Sequence, residues 1–538
     1  MTTIYHNTKA YLEKGRFAEA FAVSKERFVA VGSFGQLATL YPDAERVDLG
    51  GKTVIPGFND SHMHLMMVGQ NLLRPNIASC RSIDEMIALC RDFIEKNPEM
   101  TAGGLHAMGW NQDLFKGDNR MPTREDMDKI STEIPIVLER ICGHILVTNT
   151  LVIQKLGLSA ETPQFEGGEF KLGEDNYPNG IFCENACGYA LSLIPPFTRE
   201  QKASCLAAAI EYAVSRGLTS VQSNDIHISS EGDENLDILR EMDGAGKLAL
   251  RYHCQICFDS PELFEQYIKE GFFAGERKPS DKLTIGPLKM FRDGSLGART
   301  ALMRNDYADE AGNRGIEAAS PEVMGAFCKA AAEGGVQVVT HVIGDEAIER
   351  TVSDYEAVCP PGENPLRHSL VHCQITDLPM LERIVRDKLL IQYQPIFLEY
   401  DLHIVAQRAG EALAKTSYAF ETARKLGADI SFGTDSPVED CNPFLNCYCA
   451  VTRSDYEGYP EGGYCPDERM DISDVIDAYT LGSARCQFAE EYKGRLKEGY
   501  LADFVVLKED IFTVCPQDIK GILPEATFVG GVKVYSEK

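Results

Sequence analysis

The alternation of apolar and polar positions divides the chain into three stretches. The first, through AFAVSKERFVAVGS and RVDLGGKTVIPGF, runs in short β-like segments broken by glycines and polar turns. The last, through GRLKEGYLADFVVLKED and ATFVGGVKVYSEK, does the same. Two β-rich ends around a long mixed middle predict a small β-sandwich formed by the N- and C-terminal segments, residues 1–57 and 488–538. The middle alternates strand-like apolar runs with amphipathic helical stretches, the signature of βα units and a parallel sheet. VIPGFNDSHMHL, GLTSVQSND, LALRYHCQICF, LTIGPLKMFRDG, VQVVTHVIGDE, HSLVHCQ, LLIQYQP and ADISFGTDSPV make eight strands. Helix-like segments between them, such as PEVMGAFCKAAAEGG, close on the glycine that a helix C-terminus favours. The expected fold is α/β: a distorted (β/α)8 TIM barrel over residues 58–487, with an insertion of about 70–199 after the first strand, read as covering the barrel mouth.

Composition narrows the function. Of 538 residues, 44% are hydrophobic and 25% charged, ordinary for a globular protein with a large core. The formal net charge of -28 argues against nucleic acid and anionic membrane as partners, since both are polyanions. A small-molecule substrate is expected instead, with a homodimer as the assembly. The first residues, MTTIYHNTKAYLEKGRF, do not read as a secretory signal, and no apolar stretch has transmembrane length. With no secretory signal, the 17 cysteines are read as reduced thiols in a cytoplasmic protein.

Candidate chemistry collects at strand ends. His62 and His64 form a His-x-His directly after the first strand, and strand alternation points both imidazoles to one side. His341 ends VQVVTH, His372 ends HSLVH and Asp435 ends ISFGTD. With only 11 histidines in the chain, four at strand termini indicate one shared site on the face where barrels keep their active sites. Imidazole and carboxylate ligands suit one or two divalent ions, Zn first, with Mn, Fe or Co as alternatives. Lys289, in the fourth strand, is costly to bury unless it has a purpose. A lysine of depressed pKa can react with carbon dioxide to give an anionic carbamate that bridges two metals; the alternative is an ion pair with Asp293 or Asp225.

These segments, together with GWNQDLF, PTREDMD, GHILVTN, NGIFCENA, LKMFRDGSLGARTA, THVIGDEAI and FGTDSPVEDCNPF, resemble the amidohydrolase superfamily, in particular its YtcJ-like branch, amidohydrolase family 3. The resemblance implies His62 and His64 as ligands of the more buried metal, Lys289 as a carboxylated bridge, His341 and His372 as ligands of the second metal, and Asp435 as a ligand that also serves as general base and acid. It implies hydrolysis of a non-peptide carbon–nitrogen bond by a metal-activated water. Ester, carbamate or lactam hydrolysis at the same site, and a non-catalytic regulatory relative, are the alternatives. Trp110, His144, Arg299 and Gln394 are candidate substrate-binding residues, and Asp293 is a candidate support for Lys289.

Overall fold

The computed structural model describes residues 1–117, 120–140, 145–165, 168–184, 186–274, 278 and 281–537. It divides into two compact units, one of residues 1–65 with 210–538 and one of residues 66–209.

In the first unit both chain ends meet in one sheet. Thr53–Pro56 runs parallel to Thr2–Glu13 on one side and antiparallel to Phe504–Leu507 on the other, so the ladders join both termini into one continuous eight-stranded sheet. Thr53–Pro56 pairs on both edges, and Glu45–Asp48 joins Thr2–Glu13 beside that path. Its apolar face gathers Tyr5, Phe21, Phe28, Phe504 and Phe528, with the Phe504 and Phe528 rings stacked at 4.3 Å.

The same unit holds the barrel. Its strands are β1 (Phe58–Met63), β2 (Leu218–Ile228), β3 (Arg251–Phe258), β4 (Leu283–Phe291), β5 (Val338–Val342), β6 (Ser369–His372), β7 (Leu390–Tyr393) and β8 (Ile430–Phe432). Each pairs in parallel with the next, and β1 pairs with β2. Parallel strands covered on both faces read as continuous apolar runs, which is why all eight are visible in the sequence.

The seam between β8 and β1 closes without a regular ladder. Asp435 N–H donates to the His62 carbonyl at 2.8 Å, and His64 N–H to the Ser436 carbonyl at 2.7 Å. Beside them the buried Asp60 carboxylate accepts the Thr434 hydroxyl at 2.6 Å, the Thr434 N–H at 3.1 Å and the Tyr479 hydroxyl at 3.2 Å. Burial pushes Asp60 up to about 7 despite these donors. Gly433 makes the approach feasible: a Cβ there would lie 2.6 Å from the His62 backbone nitrogen.

The second unit is built on a five-stranded sheet in the order Gly168–Leu172, Pro178–Glu184, Ile145–Thr148, Ile136–Arg140, Leu105–Trp110. Helix Ile83–Lys96 is capped by Ser82, whose side chain accepts the Glu85 N–H, and it buries Ile83, Met86, Ile87 and Cys90 at helical spacing. Among the described residues no helix is long and apolar enough to cross a membrane.

Candidate metal centre

Four imidazoles and one carboxylate converge at the carboxyl ends of the barrel strands, and the hydrogen bonds behind each ring decide which nitrogen faces inward. Gln255 on β3 donates its amide to the Ser61 carbonyl at 2.9 Å, which leaves its Oε1 to accept the Nδ1 proton of His62 at 2.6 Å. His64 gives its Nδ1 proton to the Asn224 carbonyl at 2.8 Å. Gln394 donates to the Gln392 carbonyl at 3.1 Å and accepts from His372 Nδ1 at 2.7 Å. His341 is reversed, spending its Nε2 proton on the Gly294 carbonyl at 3.1 Å. Three rings therefore present a bare Nε2 and the fourth a bare Nδ1.

Those lone pairs face a carboxylate that has no proton to offer. Nε2 of His62 and of His64 lie 3.3 and 3.2 Å from Asp435 Oδ1, and Nε2 of His372 lies 3.9 Å from Oδ2. Ligand atoms of His62, His64 and Asp435 all fall within 4.8 Å of one another. The buried His372 Nε2 and Asp435 Oδ1 have no hydrogen-bond partner. A buried array of acceptors aimed at one another is unfavourable by itself and is satisfied by a cation placed among them. The donor set fits a divalent metal of the zinc type.

Protonation agrees with this reading. Burial depresses His62 to about 4 and His341 to about 3, and His372 falls well below the usual imidazole range for the same reason. Neutral imidazole is the metal-binding form. Burial alone would raise Asp435, but the histidines around it overturn that and hold it well below the usual carboxylate range. His64 moves the other way: burial opposes its charge, yet contact with Asp435 raises it, and the same contact would favour a metal cation in the proton's place. The backbone is strained at two of these positions, with φ of 72° at His372 and 56° at Asp435.

Lys289 is buried on β4 and meets neither of the carboxylates that could have neutralised it. Its Nζ donates to the Met290 carbonyl at 3.3 Å and lies 3.5 Å from the centre of the Phe291 ring, and among the described residues it forms no ion pair. Asp225 instead accepts from Ser223 and Tyr252. Asp293 accepts backbone N–H groups of Leu302, Ile343 and Gly344 at 2.9, 3.0 and 2.8 Å, so it ties down the loops after β4 and β5 rather than Lys289. Burial lowers Lys289 to about 8.

The remaining candidates separate. Gln394 is committed to His372. Arg299 pairs with Asp309 at 2.8 Å in its own loop. Trp110 is fully buried in the core of the second unit, its indole N–H donating to the Leu138 carbonyl at 2.8 Å. His144 lies outside the described residues. Sequence reasoning missed Gln255, Asp60 and two rings: Phe397, stacked on His372 at 5.6 Å, and Phe291, 5.5 Å from His341. A glutamine inside the apolar run RYHCQICF was the signal for the first.

An eight-stranded parallel barrel with histidines and a carboxylate converging at its carboxyl end is the framework of a metal-dependent hydrolase. The chain belongs to the amidohydrolase family, whose sequence profile matches residues 45–535. It is 29% identical to "Putative amidohydrolase YtcJ" of Bacillus subtilis, over all of both chains. It is 30% identical to "Protein LONG AFTER FAR-RED 3" of Arabidopsis thaliana, over 96% of this chain and 88% of the relative. Identity to the N-substituted formamide deformylase of Arthrobacter pascens is 23%, over 98% of this chain and 97% of that one. Among solved structures, an uncharacterized metal-dependent hydrolase from Pyrococcus furiosus superposes with a TM-score of 0.77 at 27% identity, covering 95% of this chain and all of that one.

Proposed function

We propose that this protein hydrolyses a carbon–nitrogen bond of a small non-peptide amide, an N-acyl or N-formyl amine or a lactam, to a carboxylic acid and an amine. One observation carries the reading: the Nε2 atoms of His62 and His64 face Asp435 Oδ1 at 3.3 and 3.2 Å while their Nδ1 protons are committed elsewhere. His62, His64 and Asp435 would hold one divalent ion, and His341 and His372, with Lys289 as bridge, a second. When bound, such an ion polarises the carbonyl and lowers the pKa of water.

The chain's own residues do the rest. Asp435, ionised at neutral pH, takes the proton of the attacking water on a carboxylate oxygen and returns it to the departing amine nitrogen. Gln255, Gln394 and the Asn224 carbonyl keep the imidazoles in the tautomers that leave the site free of competing protons. Lys289, with its pKa lowered to about 8, has a neutral fraction at pH 7–8 whose Nζ lone pair can add to carbon dioxide, losing a proton to give the carbamate. The name of the formamide deformylase relative supports an amide-type bond and places N-formyl amines first in the panel.

The test is amine release from N-formyl amines, N-acyl amines and lactams, with esters alongside. Activity on an amide that disappears on chelation, returns with added metal and is reduced by orders of magnitude in Asp435→Asn is expected. An enzyme that cleaves only esters overturns the amide assignment. A metal-free protein inert to the whole panel overturns the hydrolytic one and favours a regulatory role.

A further inference from the structure

The 66–209 unit contains a cavity of its own, of about 350 Å³, lined only by residues between Leu73 and Gln201. Its size is at the lower end for small-molecule sites, and most of its wall is apolar: Phe93, Leu105, Leu191, Ile194 and Phe197. Into this wall projects one cation. The Arg74 guanidinium lies 5.2 Å from the centre of the Phe197 ring, and among the described residues it makes no ion pair and its side chain no hydrogen bond.

The other polar groups of the wall are occupied. His106 is paired with Glu139 at 3.1 Å, and the Gln201 amide donates to the Glu99 carbonyl at 3.0 Å and accepts the Thr198 N–H at 2.8 Å. The Glu99 carboxylate also lines the cavity but stands exposed to solvent and, among the described residues, pairs with no cation. Arg74 is therefore a planar five-donor fork, part-buried, with a ring on one face and no acceptor in reach. Burial lowers its pKa, and the attraction of Cys205 and Glu139, neither in hydrogen-bond contact with it, does not offset that.

We propose that this cavity binds a small amphipathic monocarboxylate, its carboxylate received by Arg74 and its hydrocarbon body laid against Leu105, Leu191, Ile194 and Phe197. A planar carboxylate matches the guanidinium fork in a bidentate pair, and stacking on Phe197 holds that fork in place. A single negative charge is the better match, because a dianion would leave one charge unpaired beside Glu99.

Calorimetric titration of the full chain with sodium hexanoate tests this, with hexylamine and acetate as controls for charge and for the apolar body. Saturable hexanoate binding is expected, at least about tenfold tighter than either control, weakened about tenfold or more in Arg74→Gln and in the cavity-filling Ile194→Trp, and unchanged after chelator treatment. Circular dichroism establishes that each variant is folded; Ile194→Trp tests the cavity if Arg74→Gln is not. No saturable binding to the wild type overturns the proposal. So does binding that survives both substitutions, or binding that chelation removes, which belongs to the metal centre.

Discussion

Gln255 Oε1 accepts the Nδ1 proton of His62 at 2.6 Å, while the same amide is held from behind by the Ser61 carbonyl. The amide cannot rotate without losing its own hydrogen bond, so the ring is locked with Nε2 toward Asp435. Gln255→Leu, which can neither accept the Nδ1 proton nor donate to the Ser61 carbonyl, should lower metal affinity about 10–100-fold with little change in melting temperature of the metal-free protein. Chelator-competition titration of the purified variant measures this. Equal affinity in Gln255→Leu and wild type would remove Gln255 from the centre's support.

Gly433→Ala should break the barrel seam. Its Cβ would meet the His62 backbone nitrogen at 2.6 Å and the Asp60 carboxylate at 2.7 Å, and the first of these cannot swing away. A cost of about 1–3 kcal/mol is expected from such overpacking. Thermal melting should register it, together with reduced metal content if His62 holds the ion as proposed. A variant that melts with the wild type would mean that the seam yields freely.

Lys493 gives the protein a pH dependence away from the metal centre. It is buried against Ser220, and desolvation lowers it to about 7 from an ordinary value near 10.5. Between about pH 7 and pH 10 the unfolded chain holds a proton that the folded one has released, so stability from this group rises with pH across that window. Below about pH 7 both states are protonated and the full burial cost remains. Lys493→Met should therefore melt higher than wild type at pH 6.5, with the gap narrowing toward pH 9.5. A gap that is constant with pH would show that the lysine is neutral, or charged, throughout.

Trp110 is the chain's single tryptophan and is fully buried in the 66–209 unit. Native fluorescence should be blue-shifted and resist acrylamide quenching, and its change in urea should report that unit's unfolding. Trp110→Phe keeps one aromatic ring but removes the pyrrole half of the indole with its donor to the Leu138 carbonyl, at an expected cost of about 2–4 kcal/mol. Emission resembling free indole in the native protein would contradict this placement.

The parts legible in the sequence were those where burial imposes a rule. Val338–Val342 and Ser369–His372 are covered on both faces, so they read as apolar runs, and His341 and His372 break those runs where a buried imidazole needs a reason. Gln394 was visible as a polar strand end, but its assignment required knowing that β6 lies beside β7, since its partner His372 is 22 residues away in the chain. Trp110 shows the opposite difficulty: a lone large aromatic looks alike whether it lines a pocket or fills a core, and only its satisfied N–H distinguishes the two.

The terminal sheet bears on how the protein is made. The strand Thr53–Pro56, which leads directly into β1 and His62, finds one of its two neighbours in Phe504–Leu507, far later in the chain. During translation Thr53–Pro56 emerges with one edge bare, and it stays so until Phe504–Leu507 has been made. A chain released before Phe504–Leu507 is made exposes an unpaired β edge suited to aggregation or to recognition by a chaperone.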